Sequence, residues 1–533
     1  MRLLNWVLTT AFTILVFSSR SHSATIIGTV KGPEGTGFRA AFVAAQNLKT
    51  KISITVLSGP QGHYRIESLQ PGEYRLSIRA VGYKAEPHEG VNLTATRRAS
   101  VDFSLEEAPV LWSDISGYQG KRLFPHGQEY NVLIQQCSTC HLFQNRMVPL
   151  GLDVNGWKSR IDFMNALGVA KIQEPQLSNL AIYLSNLFGP HSVLPKSPEE
   201  SPKYRGTVRS FSDDSLNIVY VQYDMPGPNR MPFSAAPDKD GYLWIPNNGP
   251  ANKITRLDPN TGEMQDFSVP NAGPAHIHSA VPAPDGTVWL AEQGSNKVGK
   301  WDPTTQQVTE YQDQPSRLEG GSKHTVRIDS GGNVWISGSP LARFDPRTRQ
   351  FKHFDEVSKP YGAAYDVKPD KNGDVWFTYP SQNKIGRVDG KTLKVSMWVM
   401  PTANSYPRRM EISPDGMVWV GESGFPFSVG KFARFDPKTE TFKEYPLPGP
   451  DPSPYAMGFD TDGYLWYNSH YMDIVARFDP KTGKVIEYPF PNSEITMREF
   501  FRDAHGRLWY GSSSNNRVGY FYIANRPKTS TSK

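Results

Sequence analysis

Asp285-Gly286-Thr287-Val288-Trp289-Leu290-Ala291-Glu292-Gln293-Gly294-Ser295-Asn296-Lys297-Val298-Gly299-Lys300 places a glycine three residues before a tryptophan, an apolar run around that tryptophan, and a second strand-like run from Asn296. The arrangement returns at Trp244, Trp335, Trp376, Trp419, Trp466 and Trp509, so seven tryptophans stand 45, 46, 41, 43, 47 and 43 residues apart. Each has a glycine three positions earlier: Gly241, Gly286, Gly332, Gly373, Gly416, Gly463 and Gly506. Glycine there tolerates positive φ and pins the turn between the first two strands of a unit. Asn383-Lys384-Ile385-Gly386-Arg387 reads as another third strand, and Lys443-Glu444-Tyr445-Pro446 as a fourth. A period of about 40 to 50 residues with hairpin signals is that of β-propeller blades. After Gly519 the last repeat shows no fourth strand, whereas Ile218 to Pro226 carries that pattern ahead of the first repeat. The ring is therefore expected to close with one strand from each end, which removes exposed edges. Seven blades over residues 211–525 follow.

Equivalent positions in the repeats can be compared. Nine residues before each tryptophan stand Ala235, Ala280, Val326, Val367, Met410, Met457 and Phe500, all apolar and expected to pack between blades. Eleven residues before stand Phe233, His278, His324, Tyr365, Arg408, Tyr455 and Arg498, none aliphatic. These begin the innermost strands and are expected to converge at one mouth of the channel. Arg408 and Arg498 suit a small anionic or oxygen-rich ligand, and His278 and His324 can move protons or bind a metal. Tyr365 belongs to the same ring. Glu292 and Glu422, each three residues after a tryptophan, are further carboxylate candidates near this region, with His276 a weaker one.

Working outward, residues 1–23 hold Arg2, an apolar stretch from Leu3 to Phe17 and small residues before Ala24, as a cleaved secretory signal does. No later segment approaches the roughly 20 apolar residues of a membrane span, so the mature chain is expected in the periplasm or secreted. Two cysteines occur in 533 residues, Cys137 and Cys140, and His141 follows directly. Cys-x-x-Cys-His is the attachment site of covalent c-type haem, the thiols binding the porphyrin edge and the histidine the iron. Around it, Trp157, Ile161 and Met164 share a helical face, as do Leu177, Leu180, Leu184 and Leu187. Met164 is the favoured sixth iron ligand, with Met147, another residue or no sixth ligand as the alternatives. Residues 191–210 are rich in proline and read as an exposed linker, and residues 526–533 as a disordered tail.

Composition bounds the rest. The 58 basic against 52 acidic residues give a net charge of +6, too small over this length for a nucleic-acid stripe. With 38% hydrophobic residues, 45 Gly and 44 Pro, the chain is folded and turn-rich.

Three resemblances accompany these readings. Gly28-Thr29-Val30, Gly62-His63-Tyr64, Leu69-Gln70-Pro71-Gly72-Glu73-Tyr74 and Gly82-Tyr83 make residues 24–108 resemble the carboxypeptidase regulatory-like domain, which implies a transthyretin-like β-sandwich without chemistry of its own. Residues 109–190 resemble a small class I cytochrome c domain through Cys137, Cys140, His141 and the Trp157 to Met164 spacing. The motif from Trp289 to Gly299 resembles the virginiamycin B lyase family of seven-bladed propellers. That resemblance implies carbon–oxygen elimination at a depsipeptide ester with a divalent metal, two His from successive blades, matched by His278 and His324, and a Glu. In the blade carrying the second His, Gly338 and Ser339 stand where the family's acid is expected.

The expected architecture is thus mainly β: a seven-bladed β-propeller with an N-terminal β-sandwich and a small all-α cytochrome c domain. The expected function is electron transfer by an exported haem c protein, with a redox partner protein or small electron donor and a ligand at the propeller mouth. An oxidoreductase activity would follow from that arrangement. A metal-dependent lyase, or a propeller that binds or senses without chemistry, are the alternatives.

Overall fold

Alternation around each tryptophan folds as an antiparallel sheet in which the tryptophan strand is second from the axis. The computed structural model describes residues 24–95, 98–138, 141–166, 171–313, 323–359, 362–424 and 430–524. The expected signal segment 1–23, the tail 526–533 and Cys140 lie outside the described residues. Six four-stranded sheets follow chain order, and the seventh is completed by Ile218–Asp224. This strand pairs antiparallel with Arg517–Ile523, from Ile218 against Ile523 to Asp224 against Arg517. Closure uses one strand from each end, as the repeat predicts.

The second edge of Ile218–Asp224 is also occupied. It pairs antiparallel with Ile52–Leu57, Tyr220 opposite Thr55 and Tyr223 opposite Ile52, so one sheet of eight strands runs from the innermost strand of blade 7 into the N-terminal sandwich. A strand with two paired edges leaves no template for aggregation. Its side chains serve two faces: Val219 packs with the sandwich core of Ile26, Val43, Ile66 and Leu76, while Tyr220 packs with Phe490 and Phe521 of the propeller. The sandwich is therefore a packed extension of a blade.

The blade turns are organised by a residue the repeat analysis did not single out. Asp238, Asp329, Asp370, Asp460 and Asp503, six positions before their tryptophans, each accept a hydrogen bond from the indole Nε1 at 2.8–3.1 Å. The other carboxylate oxygen caps the turn. In blade 4, Asp370 Oδ1 accepts from Asn372 N at 2.8 Å and Asp374 N at 3.0 Å.

Between sandwich and propeller, four helices form: α1 (Gly117–Leu123), α2 (Gln128–Val132), α3 (Val154–Ala166) and α4 (Gln176–Phe188). Ser116 and Gln119 form a capping box that fixes the start of α1. A π-helical turn, Leu133–Cys137, continues α2 to the first cysteine. As its spacing predicts, α4 buries Leu177, Leu180, Leu184 and Leu187, and α3 buries Trp157 and Ile161. These side chains share one core cluster with Trp419, Phe432, Tyr467 and Tyr471 of blades 5 and 6.

The segment 191–210 is exposed over most of its length, as expected, and is pinned to the fold at a few points. Ser197, Pro198, Tyr204 and Thr207 are buried, Trp112 Nε1 donates to Pro195 O at 2.9 Å, and Arg209 pairs with Glu487 at 2.5 Å. Proline stiffens this segment, and a stiff segment can pack as well as span. None of the helices described is long and apolar enough to cross a membrane.

Replacing Asp370 with Ala strands the indole N–H of Trp376, which is 1% exposed, and uncaps the turn. A loss of about 1–3 kcal/mol is expected, the usual cost of a buried donor without a partner. Chemical denaturation should show it, with Asp370→Asn losing less.

Candidate functional site

The residues eleven positions before the tryptophans form a closed ring around the axis, each touching the next. The Phe233 and His278 ring centroids are 4.9 Å apart, those of His278 and His324 3.6 Å, and those of His324 and Tyr365 4.2 Å. Arg408 Cζ lies 5.7 Å from the Tyr365 ring and 4.8 Å from that of Tyr455. Arg498 Cζ lies 5.0 Å from the other side of the circuit at Tyr455 and 5.3 Å from Phe233. The hydroxyls of Tyr365 and Tyr455 are in hydrogen-bond contact. The four side chains expected to converge do so, and Tyr365 stands with them.

A β-bulge builds the ring. In five blades the register of the innermost strand slips across this position: between Ile277 and Ser279, Lys323 and Val326, Pro407 and Met410, Pro454 and Met457, and Met497 and Phe500. The residues that slip out of the ladder include His278, His324, Arg408, Tyr455 and Arg498. A bulge leaves a residue unpaired and re-aims its side chain. Two consecutive residues can then face the axis, which strict alternation forbids.

The second of them forms a deeper layer that the sequence reading missed. Arg409 Nη1 donates to Glu499 Oε1 at 2.7 Å, Thr325 Oγ1 at 2.9 Å and Asp366 Oδ1 at 3.2 Å, while Arg327 Nη2 donates to Glu499 Oε1 at 2.7 Å. Two guanidinium groups and two carboxylates balance in charge, and Asp366, Arg409 and Glu499 are all buried. The column ten residues before each tryptophan carries the signal, since Ser234, Ser279, Thr325, Asp366, Arg409, Ala456 and Glu499 include no large aliphatic residue.

The histidines are neutral. Burial first, and then Arg409 and Arg498, hold His278 well below the ordinary histidine value, and burial with His278 and Arg409 does the same for His324. His324 Nδ1 lies 2.9 Å from the carbonyl oxygen of Tyr365, so Nδ1 bears the proton and Nε2 is the basic nitrogen.

Glu292 does not join the ring, contrary to expectation. Its second-strand position opposite Ile277 turns the carboxylate outward over Gly299, where Oε2 accepts from Ser295 Oγ at 2.7 Å and Asn271 Nδ2 at 3.4 Å. Burial, reinforced by Glu310, pushes it up to about 7. Glu422 repeats this setting beside Glu444 and Lys431 and is also raised to about 7. His276 is held in a loop by Asn248 O at 2.7 Å. Among the described residues no group of three or more His, Cys, Asp or Glu side chains could hold a metal, because the ring has no carboxylate and the acids beneath it are bound by arginine. The expected divalent metal does not fit this donor set.

The cysteine motif lies over the same mouth. His470, four residues after Trp466 and fully buried, donates from Nε2 to Ser138 O at 3.0 Å, and its ring is 5.8 Å from that of Tyr455. Cys137 ends the π-helical turn, partly buried. His141 Nδ1 is tied to Leu142 O at 2.9 Å, which leaves Nε2 available to act as a ligand. An apolar cavity bordered by Phe124, Leu133, Phe143, Met147 and Tyr471 adjoins Ser138. Cys137 and the Nε2 of His141 are donors of the kind that hold haem, and Cys140 lies outside the described residues. Met147 faces that cavity, whereas Met164, partly buried on α3, packs against the helical core with Trp157 and Ile161.

Residues 338–529 match the virginiamycin B lyase family, and residues 25–106 match the carboxypeptidase regulatory-like domain. No curated protein matches the chain. Among solved structures, a streptogramin B lyase is similar at 22% identity and a TM-score of 0.52, over 58% of this chain and 100% of that one. A virginiamycin B lyase from Staphylococcus aureus is similar at 17% identity and a TM-score of 0.51, over 57% of this chain and 99% of that one. These likenesses establish a lyase-like propeller fold.

His278 and His324 bind fewer protons folded than unfolded, so their contribution to stability is lost as pH falls below about 6.5. Glu292 and Glu422 act with opposite sign, since their raised values favour the folded state as pH falls through 7. Relative to the parent, the double variant His278→Gln/His324→Gln should therefore lose less stability between about pH 7 and pH 5, read from melting temperature against pH.

Proposed function

We propose that the chain is an exported c-type haem protein whose propeller holds a small anionic or oxygen-rich molecule at the axial ring. The observation that carries this reading is His470, which bridges the cysteine motif at Ser138 to the ring at Tyr455. Cys137 and Cys140 would attach the haem and His141 Nε2 would ligate its iron, with Met164 as sixth ligand on the evidence of its helical register and Met147 as rival on the evidence of the cavity. Haem bound there supplies one-electron chemistry, exchanged with a redox partner protein or small-molecule donor. In the ring, Arg408 and Arg498 offer planar donor forks to carboxylate or phenolate oxygens. His324 Nε2 accepts a proton, and the Tyr365 and Tyr455 hydroxyls orient oxygen atoms beside it.

The direct contact of His278 with His324 favours a second reading, a carbon–oxygen lyase of the virginiamycin B type. Against it, Glu292 faces away from both imidazoles and Gly338 and Ser339 supply no acid. A propeller that only binds or senses is the reading left if the ring takes ligand without turnover.

Periplasmically matured protein should keep its colour through acid-acetone extraction, whereas colour passing into the solvent would sink the haem assignment. Met164→Ala should remove the long-wavelength sulfur-to-iron band; its loss in Met147→Ala instead would reassign the ligand.

For the ring, calorimetric titration with small carboxylates and phenolates should find a ligand whose affinity falls at least about tenfold in Arg408→Ala/His324→Ala, about 1.4 kcal/mol. Unchanged affinity would reduce the ring to channel lining.

A further inference from the structure

The peptide that follows His141 is gripped by the propeller. Glu494, in the loop before the innermost strand of blade 7, is fully buried at a φ of 58°. Its Oε1 accepts from Leu142 N at 3.0 Å and from Ser514 Oγ at 2.7 Å, and its Oε2 accepts from Asn145 N at 2.6 Å. Neighbouring contacts repeat the grip: Asn145 Nδ2 donates to Ser493 O at 3.2 Å and Arg146 Nη2 to Ser513 O at 3.0 Å. A non-glycine residue in left-handed backbone persists where surrounding contacts over-determine it. Here two of the three side-chain contacts lead to the segment that follows His141.

We propose that Glu494 is a positioning residue for the haem-bearing segment, a propeller carboxylate that fixes the backbone behind His141 and sets the reduction potential of the centre. The inference rests on the haem reading above. Three N–H and O–H donors converge on the side chain, so it acts as a pure acceptor, the role of an ionised carboxylate. The Glu494 carboxylate bonds the peptide N–H directly after His141, and Arg146 lies on the same gripped segment. Ferric haem carries one more positive charge than ferrous haem. A buried negative charge beside its histidine favours the oxidised form and lowers the potential, because charges interact strongly where water is excluded. A purely mechanical clamp has the opposite signature: its loss would admit water to the centre, which also favours the ferric form and lowers the potential.

The test is spectroelectrochemical titration of the full holoprotein, with a pyridine haemochrome assay reporting covalent attachment. Glu494→Gln is expected to favour the reduced form about tenfold, an upward shift of about 59 mV for a one-electron couple, with the visible spectrum unchanged. Glu494→Asp, which keeps the charge, should stay within about threefold of the parent. An unmoved or lowered potential in Glu494→Gln with haem attached would overturn the inference and leave the haem reading intact. Should that variant not accumulate, Arg146→Gln removes a cation from the same field and should lower the potential; no change there overturns the electrostatic role. A chain matured without covalent haem overturns both.

Discussion

Pairing of Ile218–Asp224 on both of its edges is the constraint on which the remaining architecture depends. On one side it closes a ring of seven sheets, and on the other it fastens the sandwich to blade 7. The helices lie in the chain between Ile52–Leu57 and Ile218–Asp224, so both ends of their segment are anchored to the same sheet. Having little freedom to drift, the helical segment finds its core against blades 5 and 6 and lays the cysteine motif across the channel mouth.

Beneath that cover the axis is organised in two charged layers with different chemistry. Arg409, Arg327, Glu499 and Asp366 are joined by ion pairs beneath the ring. Arg408 and Arg498, one layer nearer the mouth, stack on Tyr455. Neutral imidazoles complete the upper layer because burial and nearby guanidinium groups both oppose their protonation. The upper layer is thus positively charged while the layer beneath it is balanced.

Much of this was legible in the sequence because repeats permit comparison of like positions. The tryptophan period gave the blade count and the closing strand, and the column containing His278 and Arg408 identified the ring. The layer containing Arg409 and Glu499 escaped because alternation assigns adjacent residues to opposite faces, and a bulge is invisible to that rule. Glu292 failed for the complementary reason: distance from the tryptophan along the chain says nothing about which side of the second strand a carboxylate occupies. Glu494 and His470 carry no sequence signal, since each acquires its role from a segment more than 300 residues away in the chain.

Ring closure also has a place in time. The strand Ile218–Asp224 is made before its partner Arg517–Ile523, so during synthesis the propeller remains an open row of sheets until that partner arrives. His470, Glu494 and Ser513, which hold Ser138, Leu142, Asn145 and Arg146, also belong to the final blades. Until those blades emerge, Ser138, Leu142, Asn145 and Arg146 lack the partners that hold them in the folded chain. Ser138 and the segment from Leu142 to Arg146 are therefore fixed in place late, after most of the propeller has been made.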